Sequence, residues 1–456
     1  MGPCKRAAAV GERCAPALAL GLLAVFCLNA ADLRLIDAVK RRDHRLLATL
    51  VSAKAPVNEA QPDGATALSW AAYLDDRQSA AALLAAGAKV NTADEYGETP
   101  LTLACSTGDA PLVHSLLEAG ADAKAARWNG ETALMIAANS GSVDAVRDLI
   151  AHGAPVNAAE SRKGQTALMW AAAEGHADVV KLLIEKGADV KAVSKHGFTA
   201  LVFAAVKNNS AIVRNLVAAG ADPNYSLPDG TRPLTVAASY HSDAAAVALV
   251  EAGADPNVAD PGGNSPLHFA AQAGDVKLIQ ALLAKGANPN PRTHKVTFGG
   301  RGGGGGFFRP VGEQTPLMMA ARANHVEAMR ALVAGGADPK LKAQDGSTLL
   351  MAAAGSGHIE AVRYAYELDP EVKVVNDQGA TLMHAAVTGT MQTSTQAQIC
   401  EVVRFLAEKG APLDERDARG RTPIAVANVI PIDKAVELLA DLIVKSGAQP
   451  KISPKR

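Results

Sequence analysis

The chain predicts an all-α solenoid of repeated helix pairs, and three observations carry that prediction. A short phrase ending in an apolar residue recurs at Leu68, Leu101, Leu134, Leu168, Leu201, Leu234, Leu267, Leu317, Leu350, Met383 and Ile424, mostly 33 residues apart. A second phrase, Gly-Ala, follows all but one copy at a nearly fixed offset, as at Gly87, Gly120, Gly187, Gly253 and Gly410. Apolar residues make up 48% of the chain and aromatics only 4%, so any core is built from Ala, Leu and Val, which suits thin stacked helices. A fixed period of this length is the mark of a stacked array.

The first thirty residues read differently. Lys5, Arg6 and Arg13 precede an apolar run from Ala15 to Leu28 and then Asn29 and Ala30, the layout of a secretory signal peptide over residues 1–30. The run is too short to cross a bilayer comfortably. A buried first helix is the alternative reading, and Phe26 stands before Cys27 where a lipid-modified cysteine takes a small residue. Export to the periplasm or the medium is the expectation, with no stable membrane insertion after cleavage.

Residues 31–60 place Leu35, Ala38, Val39, Leu46, Leu47 and Leu50 at the repeat's core positions without a hairpin in front, as an N-terminal capping repeat would. Residues 61–292 then hold the regular repeats. In each, a Thr before Ala or Pro reads as a helix N-cap, with Pro at the first helical position where no amide donor is needed. A Gly directly after an apolar run such as 179–184 reads as a helix stop. Each unit is therefore turn, short helix, turn, longer helix.

Two stretches depart from the period. Residues 293–312 are a Gly-rich insertion containing Arg301, five further consecutive glycines, Phe307, Phe308 and Arg309. Its formal G-x-G-x-x-G match follows no strand and precedes no P-loop Lys, so nucleotide binding is not the reading. A flexible finger and an adhesive tip built on Phe298, Phe307, Phe308, Arg301 and Arg309 both remain open. Repeats resume over 313–449, with a polar insertion near 389–398 and a final helix over 435–446, and residues 450–456 form a basic tail.

Period, turn glycine, Thr-Pro-Leu cap, Ala-Ala pair and Gly-Ala stop coincide, and together they resemble the ankyrin repeat family over about residues 31 to 449. The resemblance implies an ankyrin-repeat solenoid whose connecting segments project as β-hairpin fingers, with a concave face that binds partners. Carried onto this chain, Ala71 and Ala72, Ala137 and Ala138, Ala171 and Ala172 let helices approach closely, while Leu83, Leu116, Leu182 and Leu282 fill the seam. An exported bacterial chain is the setting that the presequence and the repeats together call to mind.

Chemistry is sparse. With 45 basic and 46 acidic residues there is no field to hold nucleic acid. Cys105 and Cys400, far apart in sequence, read as core packing, as do Trp70 and Trp170. His268 and His384 share one position in the first helix, and His176 and His358 share a turn position, so a structural role across adjacent turns accounts for them. No catalytic, metal or cofactor motif stands out, and no cofactor is expected. The expected function is a non-enzymatic, monomeric module binding another protein, the alternative being a small-molecule or glycan subunit associated with a separate enzyme. Candidate partner-binding residues at fingertips and on the exposed side of the first helix are Tyr73, Glu95, Tyr96, Arg127, Trp128, Arg162, Lys195, His196, Phe198 and Tyr240, joined by Phe307 and Phe308. Packing between adjacent fingers is the competing role for each.

Overall fold

The threonine of each repeat phrase ends an extended segment and begins a helix, and a computed structural model of the protein shows how. The structure describes residues 32–296, 311–388, 394–430 and 432–451. Thr66, Thr132, Thr166 and Thr315 stand in extended backbone, and each hydroxyl accepts the amide three residues on. Arg232 stands at the same position before α13 and makes no side-chain cap bond. Past most second helices a Gly takes the left-handed region, as at Gly87 with φ +86°.

The chain divides into two compact units at Ala154 and Pro155. In the first, the short helices α1 (Arg34–Lys40), α3 (Ala67–Tyr73), α5 (Pro100–Thr107) and α7 (Ala133–Ser140) pack in sequence. Behind them lie α2 (His44–Ser52), α4 (Arg77–Ala85), α6 (Ala110–Glu118) and α8 (Val143–Ala151).

The second unit repeats the scheme eight times. Its first helices are α9 (Ala167–Glu174), α11 (Ala200–Val206), α13 (Pro233–Ser239), α15 (Pro266–Ala273), α17 (Pro316–Arg322), α19 (Leu349–Ala354), α21 (Leu382–Val387) and α23 (Pro423–Ala427). Its second helices are α10 (Ala177–Glu185), α12 (Ser210–Ala218), α14 (Asp243–Glu251), α16 (Val276–Ala284), α18 (Val326–Ala334), α20 (Ile359–Leu368), α22 (Gln396–Glu408) and α24 (Asp433–Lys445).

Helices of five to thirteen residues are marginal alone, so packing must hold them. The paired alanines are wholly enclosed, among them Ala71, Ala72, Ala171 and Ala172, and so are Leu83, Leu116 and Leu282. Cys105 and Cys400 are buried free thiols, and burial pushes both upward in pKa, away from the thiolate form.

An asparagine-centred bridge of two bonds ties repeat to repeat. Asn257 donates from Nδ2 to the Gly286 carbonyl (3.1 Å) and accepts at Oδ1 from the Asn288 amide (2.7 Å). Asn58 and Asn91 make the same bridge in the first unit, and Asn157, Asn224 and Asn290 make it in the second. Buried histidines add a second tie. His268 Nδ1 accepts the Ser265 amide (3.0 Å), so the proton sits on Nε2, which donates to the Gln314 carbonyl (3.0 Å). His384 does the same between the Thr381 amide and the Arg421 carbonyl. Desolvation lowers the pKa of both, that of His268 to about 4, so each stays neutral.

The fingers are short hairpins whose pairing, among the described residues, is limited to isolated antiparallel bridges such as Ala60 with Thr66 and Ala126 with Thr132. Two expectations need correction. Part of the polar insertion near 389–398 is helix, because Thr395 and Gln398 form a reciprocal capping box that starts α22 at Gln396. The final helix spans Asp433–Lys445 rather than 435–446.

Candidate functional site

In the first unit the exposed aromatic residues stand where the repeat gives a side chain no core to enter. Trp128 is 72% exposed, Tyr73 58% and Tyr96 57%. Tyr96 and Trp128 occupy adjacent fingertips, and the Trp128 amide donates to the Tyr96 carbonyl at 3.1 Å. Gly97 makes that approach possible: its φ is +80° and a Cβ there would lie 3.0 Å from the Trp128 nitrogen. Glu95 is fastened the same way, its amide donating to the Asp63 carbonyl at 2.8 Å. The Glu95 carboxylate, first by hydrogen bond and then by charge, raises the pKa of the Tyr96 phenol.

Arg127 is committed inside the fingers. Its guanidinium, one quarter exposed, pairs with Glu98 at 2.6 Å and Glu131 at 2.8 Å. Trp70 corrects the expectation of core packing: it is half-buried, with Lys40 Nζ 4.0 Å above its ring, Tyr73 edge-on at 5.6 Å and its Nε1 donating to Gln61 Oε1 at 2.7 Å. Trp170 is likewise half-buried rather than core, and its Nε1 has no hydrogen-bond partner among the described residues.

In the second unit the fingertips carry cations. Arg162, Lys163, Lys195 and His196 are all exposed. The loop from 160 to 165 is shaped around Glu160, which is 4% exposed and accepts the amides of Arg162, Lys163 and Gln165 at 2.7, 2.7 and 3.0 Å. Burial alone would raise the Glu160 pKa, but these three donors and Lys195 outweigh it and lower it. The Lys195 amide donates to the Lys163 carbonyl at 2.8 Å and its Nζ to the Ser161 carbonyl. Phe198 is 36% exposed and leans on Phe203, with ring centroids 5.8 Å apart. Tyr240, at the end of α13, stands further along and is 64% exposed.

Phe203 belongs to a row that was not singled out in the sequence. Trp170, Phe203, Val236, Phe269 and Met319 each stand four residues after the N-cap position of successive first helices, and all but Val236 are half-buried. The recurrence of a large apolar residue at one register position was the available signal. Lys163 was also missed, hidden by the extra residue that lengthens its finger. Phe307 and Phe308 lie outside the described residues, as does the proposed signal peptide.

On the other side, α12, α14 and α16 line a cleft of about 480 Å³ holding Arg214, Asp243, Glu251, Asp275 and Lys277. Desolvation and then the neighbouring Asp275 raise the Asp243 pKa. Among the described residues no group of three or more His, Cys, Asp or Glu side chains could hold a metal ion, and no helix is long and apolar enough to cross a membrane.

A family model described as ankyrin repeats (3 copies) matches residues 35–127, 107–194, 158–226, 201–293 and 317–417. No curated protein matches the chain.

Proposed function

The chain belongs to the ankyrin repeat family, whose repeats are generally protein-interaction modules and typically non-enzymatic, and from that premise we propose that it is a monomeric binding protein. It holds a protein partner along its fingertips and the open face of its first helices. The observation that carries this reading is the fixed display of Tyr96 and Trp128. Large aromatics kept in water by a backbone bond between two fingertips cost solvation in the free protein and contribute most when a partner covers them. The test is crosslinked capture by residues 31–456 beside a Trp128→Ala, Phe198→Ala double variant of equal thermal stability. A protein enriched by the parent and lost with the variant supports the reading. Equal recovery by both removes it.

We also propose that the chain is exported, on the strength of Lys5, Arg6, Arg13 and the apolar run from Ala15 to Leu28. Protein recovered from the periplasm or medium is expected to begin at Ala31. Retention of Met1 in a cytoplasmic fraction overturns this.

A further inference from the structure

Resting on that reading, we propose that the fingertips around Arg162 and Lys195 form a docking site for an acidic, apolar segment of a protein partner. Its carboxylates pair with Arg162, Lys163 and Lys195, and its apolar side chains cover Phe198 and Phe203.

The charge at this place is unbalanced. Over the whole chain acids and bases nearly cancel, yet two adjacent fingertips carry Arg162, Lys163, Lys195 and His196, all exposed. The acid in that loop, Glu160, is enclosed, and its oxygens are taken by backbone amides. It holds the loop's shape and forms no direct ion pair with the cations at the surface among the described residues. Neither the Arg162 guanidinium nor the Lys163 ammonium meets an acceptor among the described residues. Lys195 spends one of its three ammonium donors on the Ser161 carbonyl, which steers the group across to the neighbouring finger.

The arrangement is built before any partner arrives. The Lys195 amide on the Lys163 carbonyl locks the two tips side by side, so the cost of ordering them falls in folding rather than in binding. Phe198 follows Gly197 directly and rests on Phe203, placing an apolar surface next to the cations. A basic cluster beside an aromatic pair fits a segment in which carboxylates and apolar side chains alternate. The site is too small, and the chain too nearly neutral, for the phosphate contacts that hold a nucleic acid. Fingertips of the first unit provide the contrast, since Asp63 and Glu95 would repel the same segment.

The test uses the full chain and three fluorescent probes: a twelve-residue peptide of alternating Glu and Leu, its Gln and Leu analogue, and a twelve-residue oligothymidylate. The parent is expected to bind the Glu peptide at least about tenfold more tightly than the Gln analogue. Arg162→Gln with Lys163→Gln is expected to erase that preference, and raising salt should do the same. Phe198→Ala should weaken the Glu and Gln peptides alike and leave the salt slope unchanged. Thermal melts matching the parent's show that each variant is folded. Equal binding of the Glu and Gln peptides, an unaffected double glutamine variant, or tighter binding of the oligothymidylate each overturns the proposal. Should it fall while capture sensitive to Trp128→Ala persists, the interaction function stands without this site.

Discussion

Two kinds of joint between repeats occur in this protein, and the second unit contains both. At most joints a fingertip amide donates to the carbonyl of the finger before it: Lys195 to Lys163, His294 to Gly262, Gln344 to Gly312, Asp377 to Asp345 and Ala418 to Gln378. At Pro228 and Pro261 the donor does not exist, because proline carries no N–H. The finger around Asp229 is thus unbonded to its neighbours on both sides by this device. The same repeat loses two more ties. Lys191 stands where an Asn would bridge to Gly220 and Asp222, and Arg232 stands where a Thr would cap α13.

Partial substitutes have been recruited. Tyr225 donates from its hydroxyl to the Gly197 carbonyl at 3.1 Å and packs against Val202, Leu227 and Val236. The difference teaches that coupling in the array is set joint by joint, by polar groups at its edges, while the alanine and leucine core stays nearly uniform. Nearest-neighbour ties of this kind govern how far an opening spreads through a repeat stack.

Substitutions can break or sharpen this comparison. The largest effect is expected at a strongly tied joint. His268→Ala removes a fully enclosed side chain together with its bonds to the Ser265 amide and the Gln314 carbonyl, and should cost about 3 kcal/mol in chemical denaturation. Acid should act through the same residue. With the folded pKa near 4 and the unfolded value near 6.5, the unfolded chain takes up the proton first. Stability present above about pH 6.5 is therefore lost as pH falls toward 4, by roughly 3 kcal/mol, and the His268→Ala melt should be flatter over that range.

Next comes the asparagine bridge. Asn257→Ala deletes one donor and one acceptor bond and should cost about 2 kcal/mol, read as faster hydrogen exchange at the Asn288 amide. The converse change repairs the weak joint: Lys191→Asn should add about 1 kcal/mol and slow exchange at the Asp222 amide. Smallest is Arg232→Thr, expected to add about 0.5–1 kcal/mol by capping α13. If Asn257→Ala and Lys191→Asn leave exchange at their own joints unchanged, the distinction between the two kinds of joint fails.

Much of this was legible in the residues. The repeat length, the Thr caps, the glycine stops and the enclosed alanines follow from local rules that one sequence displays over and over. The pairing of histidines with the next repeat was foreseeable for the same reason, since His268 and His384 share a position. What escaped was two-body information. The Asn bridges involve residues 29 to 48 apart, and only the recurrence of Asn after Val or Pro hinted at them. Arg127 looked like a free cation because nothing in the sequence says that Glu98, on the preceding finger, reaches it. Trp70 and Trp170 looked like core because apolar periodicity does not separate a buried stripe from the half-open row beside it. Glu160 was invisible as a staple, since a carboxylate holding three amides reads in sequence like any loop acid.

The bridge at Asn290 reaches Gly336 across 46 residues, where that at Asn257 reaches Gly286 across 29, yet the two bonds are 3.2 and 3.1 Å long. The stack thus registers its members by position in space and takes no account of how much chain runs between them. That makes the insertion between Val296 and Val311 a natural port: an epitope, a reporter or a small folded domain spliced there should ride on the array and leave the ties at His294, Val296 and Gly312 in place.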